Sequence, residues 1–215
     1  MAIYKGYGYD IQDGKAIIPE WETEIRDGAF NGCKELTSVE LPLWINKIGN
    51  FAFSDCSSLT SISIPESVTK IGEFTFYGCS SLSSVHISDI ATWCNIVFRG
   101  GNSNPLSLAH RLYINGEEIR DLVIPDSVTE IGGSAFEGCS SLTSISIPES
   151  VTEIGEGAFS GCSSLTSVTI PPSVTEIGKG AFRGCSSLTE VRIPKGCNVD
   201  EDAFEDSPNV QIIRY

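Results

Sequence analysis

The chain has 215 residues and a net charge of −14, from 14 basic and 28 acidic side chains. So acidic a balance excludes nucleic acid as a partner, because neutralising phosphates takes a basic patch; it also disfavours anionic membrane surfaces and favours a basic protein partner. The sequence has no run of about 18 apolar residues, so no membrane insertion is expected.

The first residues, Met1-Ala-Ile-Tyr-Lys-Gly-Tyr-Gly-Tyr, lack the apolar core of a signal peptide. A cytoplasmic protein and a mature or excised part of an exported one both stay open. Residues 1–15 read as an amino-terminal cap, and Tyr4, Tyr7, Tyr9 and Trp21 supply aromatic surface at this end.

From Ala16 a period sets in. Pro19, Pro42, Pro65, Pro125, Pro148, Pro171 and Pro194 step by 23 residues, as do Phe30, Phe53, Phe76, Phe136, Phe159 and Phe182, apart from one long step. Between Ser88, which takes the proline place, and Pro125 the step is 37; Phe204 follows Phe182 after only 22. A fixed period of this length marks a solenoid, in which each coil buries its apolar face only against its neighbours. About nine coils are expected in a single domain over 1–215.

Within one coil, Leu142, Ile145 and Ile147 are apolar while Ser144 and Ser146 are polar, the period of a strand with one face inward. Pro148 has no N–H to donate and ends the strand. Val151-Thr-Glu-Ile154 reads as a second short extended run on the other side. Gly155 to Gly161 reads as a compact, 3-10-like return that delivers Ala158, Phe159 and Cys162 inward. The fold class is therefore mainly β: a rod or horseshoe with a parallel sheet on one face and short extended or 3-10 segments on the other.

The interruption spans 89–121. A short helix is expected around Ile90 to Ile96, then a loop from Arg99 to Pro105. Leu112-Tyr-Ile-Asn-Gly-Glu-Glu-Ile119 then carries Asn-Gly between alternating runs, a hairpin signal. Trp93, Phe98 and Leu106 are expected to pack inward. At the far end, 195–215 forms a final coil and cap, with Val210 and Ile213 opening one more strand. The acidic residues Asp200, Glu201, Asp202, Glu205 and Asp206 lack the glycine and spacing of an EF-hand loop and read as a polar end cap. Capping at both ends is what makes a monomer the expected state.

Of eight cysteines, Cys33, Cys56, Cys79, Cys139, Cys162 and Cys185 hold one repeat position. A repeated column is a packing demand, and a free thiol behaves as a small buried hydrophobe. Parallel Cβ vectors in a stack suit disulfides poorly, and zinc needs clustered Cys/His spacing. Cys94 and Cys197 stand outside the column and are the thiols to watch for reactivity.

The pattern LxxIxIP followed by VTxIGxxAFxGCxSL resembles the BspA-like leucine-rich repeat family, over about Ala16 to Ile213. It departs from the commonest leucine-rich pattern, since proline follows the strand and cysteine precedes the leucine by three residues. The resemblance implies a bacterial or protozoan cell-surface or secreted protein that binds partner molecules, with no catalytic motif to carry over.

The residues themselves point the same way. Nucleophile elbow, HExxH, Walker A and dinucleotide-binding patterns are missing from the sequence, so no enzyme, cofactor or metal is expected. The outward strand columns run Ser38, Ser61, Ser84, Ser144, Ser167, Glu190 and Glu40, Ser63, His86, Ser146, Thr169, Arg192. Recognition faces favour aromatic and arginine anchors, so His86, Glu190 and Arg192 stand out from a bland serine surface. In the interruption, Arg99, His110, Arg111 and Tyr113 are the further candidates for binding a protein partner. A structural or self-assembling scaffold is the alternative to a recognition module.

Overall fold

The computed structural model describes residues 9–100 and 102–215; Tyr4, Tyr7 and Gly101 lie outside the described residues. It is a β-solenoid of about nine coils, and its contacts divide it into two compact units. One is built from residues up to Thr92 together with Ile96–Glu117, the other from Trp93–Asn95 and Glu118–Tyr215. The boundary falls inside the 89–121 interruption.

In the first unit, Asp10–Gln12 and Lys15–Ile17 form an antiparallel hairpin. Ser38–Glu40, Ser61–Ser63, Ser84–Ile87 and Leu112–Ile114 then continue the same sheet in parallel, and Glu117–Glu118 closes its other edge. A second sheet stacks Glu24–Ile25, Lys47–Ile48, Lys70–Ile71 and Val97–Phe98. The second unit repeats the scheme. Asp121–Val123 pairs with Ser144–Ser146, Ser167–Thr169 with Glu190–Ile193, and Glu190–Ile193 in turn with Gln211–Arg214. Glu130–Ile131, Glu153–Ile154, Glu176–Ile177 and Asn198–Val199 form its second sheet.

The strands are short because each coil spends only three or so residues per side before it turns. The return is a run of i→i+3 turns, such as Ala158 N–H to Gly155 C=O (3.2 Å) and Cys162 N–H to Phe159 C=O (3.2 Å). It is also laddered between coils: Phe159 N–H donates to Ala181 C=O at 2.8 Å and Gly161 N–H to Arg183 C=O at 2.7 Å. The conserved rhythm of the Ile-Gly pair has a steric cause. A Cβ on Gly155 would lie 2.7 Å from the Gly133 nitrogen, and one on Gly178 would lie 2.8 Å from the Glu156 nitrogen. The preceding coil passes too close for any side chain there.

The aromatic column is a stack. Phe30, Phe53 and Phe76 lie face to face at 5.3 and 5.6 Å, and Tyr9 closes the end on Phe30 at 5.0 Å. Phe136, Phe159, Phe182 and Phe204 stack at 5.3, 5.4 and 5.5 Å in the other unit. Offset stacking of this kind adds about 0.5–1.5 kcal/mol per pair to the burial of each ring.

The cysteine column is more than filler. Cys56 Sγ donates to Phe30 C=O (3.0 Å), Cys79 to Phe53 (3.1 Å), Cys162 to Phe136 (3.3 Å) and Cys185 to Phe159 (3.3 Å). In the last coil Ser207 stands in that column, and its hydroxyl donates to Phe182 C=O at 2.8 Å. Threonines do the same work outside: Thr60 Oγ1 to Thr37 C=O (3.0 Å) and Thr189 to Thr166 (3.2 Å).

Several expectations are corrected. Of the aromatic residues at the amino end, Trp21 is 80% exposed at a turn, whereas Tyr9 is buried and stacks on Phe30. A second helix, Leu106–Ala109, lies in the interruption, started by Asn104, whose Oδ1 accepts the Leu106 N–H at 2.9 Å. Trp93 and Leu106 are buried as expected, but Phe98 is only half-buried. The last strand is shifted by one residue: Ile212, not Ile213, stands opposite Val191, because the final coil is shorter still.

Phe159 is fully buried between two rings. Phe159→Ala should lower unfolding free energy by about 3–5 kcal/mol through the cavity it leaves, read from denaturant melts; near-wild-type stability would remove the stack as a main source of stability.

Candidate functional site

The outward column of the first unit is set by strand register. Glu40 stands beside Ser63, Ser63 beside His86, and His86 beside Tyr113. The hairpin is what supplies Tyr113: its tip, Asn115-Gly116, has φ values of 51° and 86°, the left-handed pair that a tight two-residue turn requires. The His86 and Tyr113 rings stack at 4.9 Å and 23°. His86 Nε2 also lies 3.1 Å from Ser84 Oγ, two residues back on the same face.

Beside this pair is a hollow of about 290 Å³ lined by Leu41, Leu43, Pro65, His86, Asn115 and Gly116, among others. Leu43 is 69% exposed at its rim. The lining offers apolar side chains, the His86 ring, whose other neighbour is Tyr113, and the polar groups of the turn.

The other candidates disperse. Arg111 lies just before the Tyr113 strand, exposed, and its carbonyl accepts the Val85 N–H at 3.1 Å. His110 ends the helix Leu106–Ala109 in a left-handed conformation, its N–H on Leu106 C=O at 2.9 Å. Arg99 follows a strand of the second sheet, its N–H on Ile71 C=O at 3.1 Å, and so belongs to a different face from His86. Glu190 and Arg192 are exposed in the second unit, on the strand between Ser167–Thr169 and Gln211–Arg214.

The acidic residues of the last coil reach back to basic ones. Lys179 Nζ meets Asp202 at 3.3 Å, and Arg183 meets Glu205 at 3.3 Å and Asp206 at 3.1 Å. Exposed pairs like these contribute little stability. They close one side of a shallow groove of about 200 Å³ floored by Gly157 and Gly180. Among the described residues no group of His, Cys, Asp and Glu gathers as a metal would need. On the second sheet Glu130, Glu153 and Glu176 stand directly in line. Partial burial, and then the flanking carboxylates, raise Glu153 above the ordinary range.

All eight cysteines are free and buried, Cys94 and Cys197 included. Burial pushes Cys79 and Cys185 up to about 12 and raises Cys33, Cys56, Cys162 and Cys197 as well. Cys197 is therefore disarmed as a nucleophile rather than activated, since the thiolate is the reactive form.

Sequence reasoning passed over Leu43 and three exposed rings, Phe51, Phe74 and Tyr77. The signal was present: Phe51 and Phe74 occupy the place held by Gly28, Gly157 and Gly180 in other coils.

With the coil geometry in place, the comparisons are unambiguous about kinship. The model of the BspA type leucine-rich repeat region matches residues 14–107 and 106–215, with 6 copies. The chain belongs to the BspA-type leucine-rich repeat family. Among solved structures, a leucine-rich repeat protein of Eubacterium ventriosum is 20% identical, covering 94% of this chain and 72% of its own, with a TM-score of 0.49. A leucine-rich cell surface protein of Faecalibacterium prausnitzii is 19% identical, covering 90% and 83%, with a TM-score of 0.42. The leucine-rich repeat protein of T. pallidum is 27% identical, covering 98% and 79%, with a TM-score of 0.40. Comparison with curated proteins finds no match. Among the described residues no helix is long and apolar enough to cross a membrane.

Alkylation at pH 8 should leave the eight thiols of the folded protein essentially unmodified and modify all eight after denaturation; rapid labelling of Cys94 or Cys197 in the native state would contradict their burial.

Proposed function

We propose that the chain, read as one repeat array over 1–215 with caps at 1–15 and 195–215, is a non-enzymatic protein-recognition module in a cell-surface or secreted setting. The observation that carries this reading is the His86–Tyr113 stack beside an open, largely apolar hollow. Aromatic side chains on a rigid strand face lose little entropy on contact, which is why they anchor interfaces. The family's usual role supports the same class. Arg111 and His110 extend the face from the chain just before Tyr113, while Arg99, Glu190 and Arg192 are proposed as secondary contacts.

A second reading, self-assembly, draws support from the strand Gln211–Arg214. It pairs on one side with Glu190–Ile193 and leaves Ile212 and Ile213 exposed. An uncovered edge of this kind is a template for another chain.

The test is to capture partners on the immobilised protein from bacterial and host-cell extracts and titrate any captured protein against variants. Leu43→Ser/Tyr113→Ala should weaken binding about 10-fold or more, the effect of one interface hot spot, and Arg99→Ala/His110→Ala/Arg111→Ala should weaken it less. Unchanged affinity in both would remove this face and turn attention to Glu190 and Arg192. A concentration-dependent mass in light scattering would favour self-assembly.

A further inference from the structure

The return turns of six coils hold two residues in the left-handed region, four apart, and the first lies two residues before the stacked phenylalanine. Gly28 (φ 65°), Gly157 (64°) and Gly180 (60°) hold that position in three coils, and Ser134 (58°) in another. Phe51 (55°) and Phe74 (53°) hold it in two adjacent coils of the first unit. A bulky side chain there is an outlier, since its Cβ crowds the following carbonyl. The repeat has glycine as its ready solution, so two phenylalanines in succession are opposed by backbone preference.

Core packing does not account for them. Phe51 is 44% and Phe74 38% exposed. The two rings stack on one another at 5.3 Å and 16°, and Tyr77, also exposed, meets Phe74 edge-on at 6.4 Å and 82°. The result is an aromatic ridge on the surface, held at the spacing of the coils. Gly28 stands next in the column and has no side chain, so that position leaves the outer face of Phe51 uncovered.

The rim of the ridge is acidic. Asp27 lies one residue before Gly28; its carboxylate accepts the Asn50 N–H at 2.8 Å and the Asn50 side-chain amide at 3.3 Å. Asn50 Oδ1 in turn accepts the Glu73 N–H at 2.9 Å. This ladder runs along one flank and leaves the carboxylates of Asp27 and Glu73 exposed beside the rings. On the other flank Asp55 is exposed, its N–H on Tyr77 C=O at 2.6 Å. Of the nearby cations, Arg26 is engaged with Glu22 at 2.7 Å, and Arg99 stands in the following coil, its N–H on Ile71 C=O at 3.1 Å. Flat rings bordered by carboxylates match one chemistry: a planar cation that stacks on a ring while its N–H groups reach a carboxylate. That is a guanidinium rather than an ammonium.

We propose that the Phe51–Phe74–Tyr77 ridge, with Asp27, Glu73 and Asp55 at its rim, docks an arginine-bearing segment of a protein partner. The inference rests on the recognition reading but uses a different surface from the His86–Tyr113 face. The ridge explains why glycine is replaced at these two coils: the strain is kept because the rings are used.

The test separates stacking from net charge. Octa-arginine and octa-lysine peptides are titrated into the 215-residue protein at physiological salt. Wild type should bind octa-arginine at least tenfold more tightly than octa-lysine. Phe51→Gly/Phe74→Gly, which restores the glycine of the other coils and leaves every charge in place, should abolish that preference while retaining octa-lysine binding. The variant should stay folded with a cooperative melt, because glycine is at ease at these φ values and offsets part of the lost ring burial. Phe51→Asn/Phe74→Asn, with a residue that also tolerates this region, gives the same readout if the glycine pair loosens the turn. Leu43→Ser/Tyr113→Ala should keep the arginine preference. Equal affinity of the two peptides for wild type, or a preference that survives both ridge variants, would overturn the inference. So would loss of the preference only in Leu43→Ser/Tyr113→Ala, which would leave the recognition reading standing. Ridge-dependent binding of a neutral cello-oligosaccharide without arginine preference would overturn it in favour of a carbohydrate.

Discussion

Each coil of this protein is hydrogen-bonded to a near copy of itself one period away. On every side of the coil some backbone N–H groups find their acceptors in the neighbouring coil, and the turns add i→i+3 bonds of their own. That constraint makes the residue at each position a matter of what lies directly above and below it. Phenylalanine stacks on phenylalanine, cysteine donates to the carbonyl of the preceding phenylalanine, and threonine donates to the carbonyl of the preceding threonine. Glycine follows isoleucine because the neighbouring backbone leaves no room for Cβ. The repeat motif is the list of answers to a stacking problem, which is why Ser207 can replace cysteine: it keeps the donor.

Function under such a constraint appears where a column departs from its own rule without harming the stack. Two departures matter in the first unit. The hairpin places Tyr113 against His86, where the other coils carry serine, threonine, a charge or, at Val123 and Ile213, an aliphatic side chain, but no second aromatic ring. The return turn places Phe51 and Phe74 where other coils carry glycine. Both put rings on the surface of a rigid scaffold, where burial on contact with a partner would not need to order a loop. In the second unit the corresponding turn positions stay small, and the groove over Gly157 and Gly180 is bounded by ion pairs instead. The charge of −14 then acts over all of this surface, drawing basic partners and discouraging acidic ones.

Much of the fold was legible because the period carried it. Val/Ile alternation, the proline stop and the aromatic and cysteine columns each have a single physical meaning once they recur. Legibility failed where recurrence failed. The helix Leu106–Ala109 has no counterpart in other coils, and only the Asn104 cap announced it. The register of the last strand slipped because the coil before it is shorter than the period, so Ile212 rather than Ile213 stands opposite Val191. The candidate site was half legible: His86 and Tyr113 meet, but Arg99 lies on another sheet, since sequence proximity to an interruption says nothing about which face a side chain leaves from. Phe51 and Phe74 were passed over because aromatic residues suggest core; their meaning emerges only against the glycines in the same column.

The central claim is that coils are held to one another on every side, including the turns that look like loops in sequence. Native-state hydrogen exchange tests it most directly. Return-turn amides such as Phe136, Phe159 and Gly161, which donate to the next coil at 2.7–2.8 Å, should exchange as slowly as the strand amides of Val168 and Val191. Return-turn amides that exchange at the rate of an open loop while the strands stay protected would contradict it.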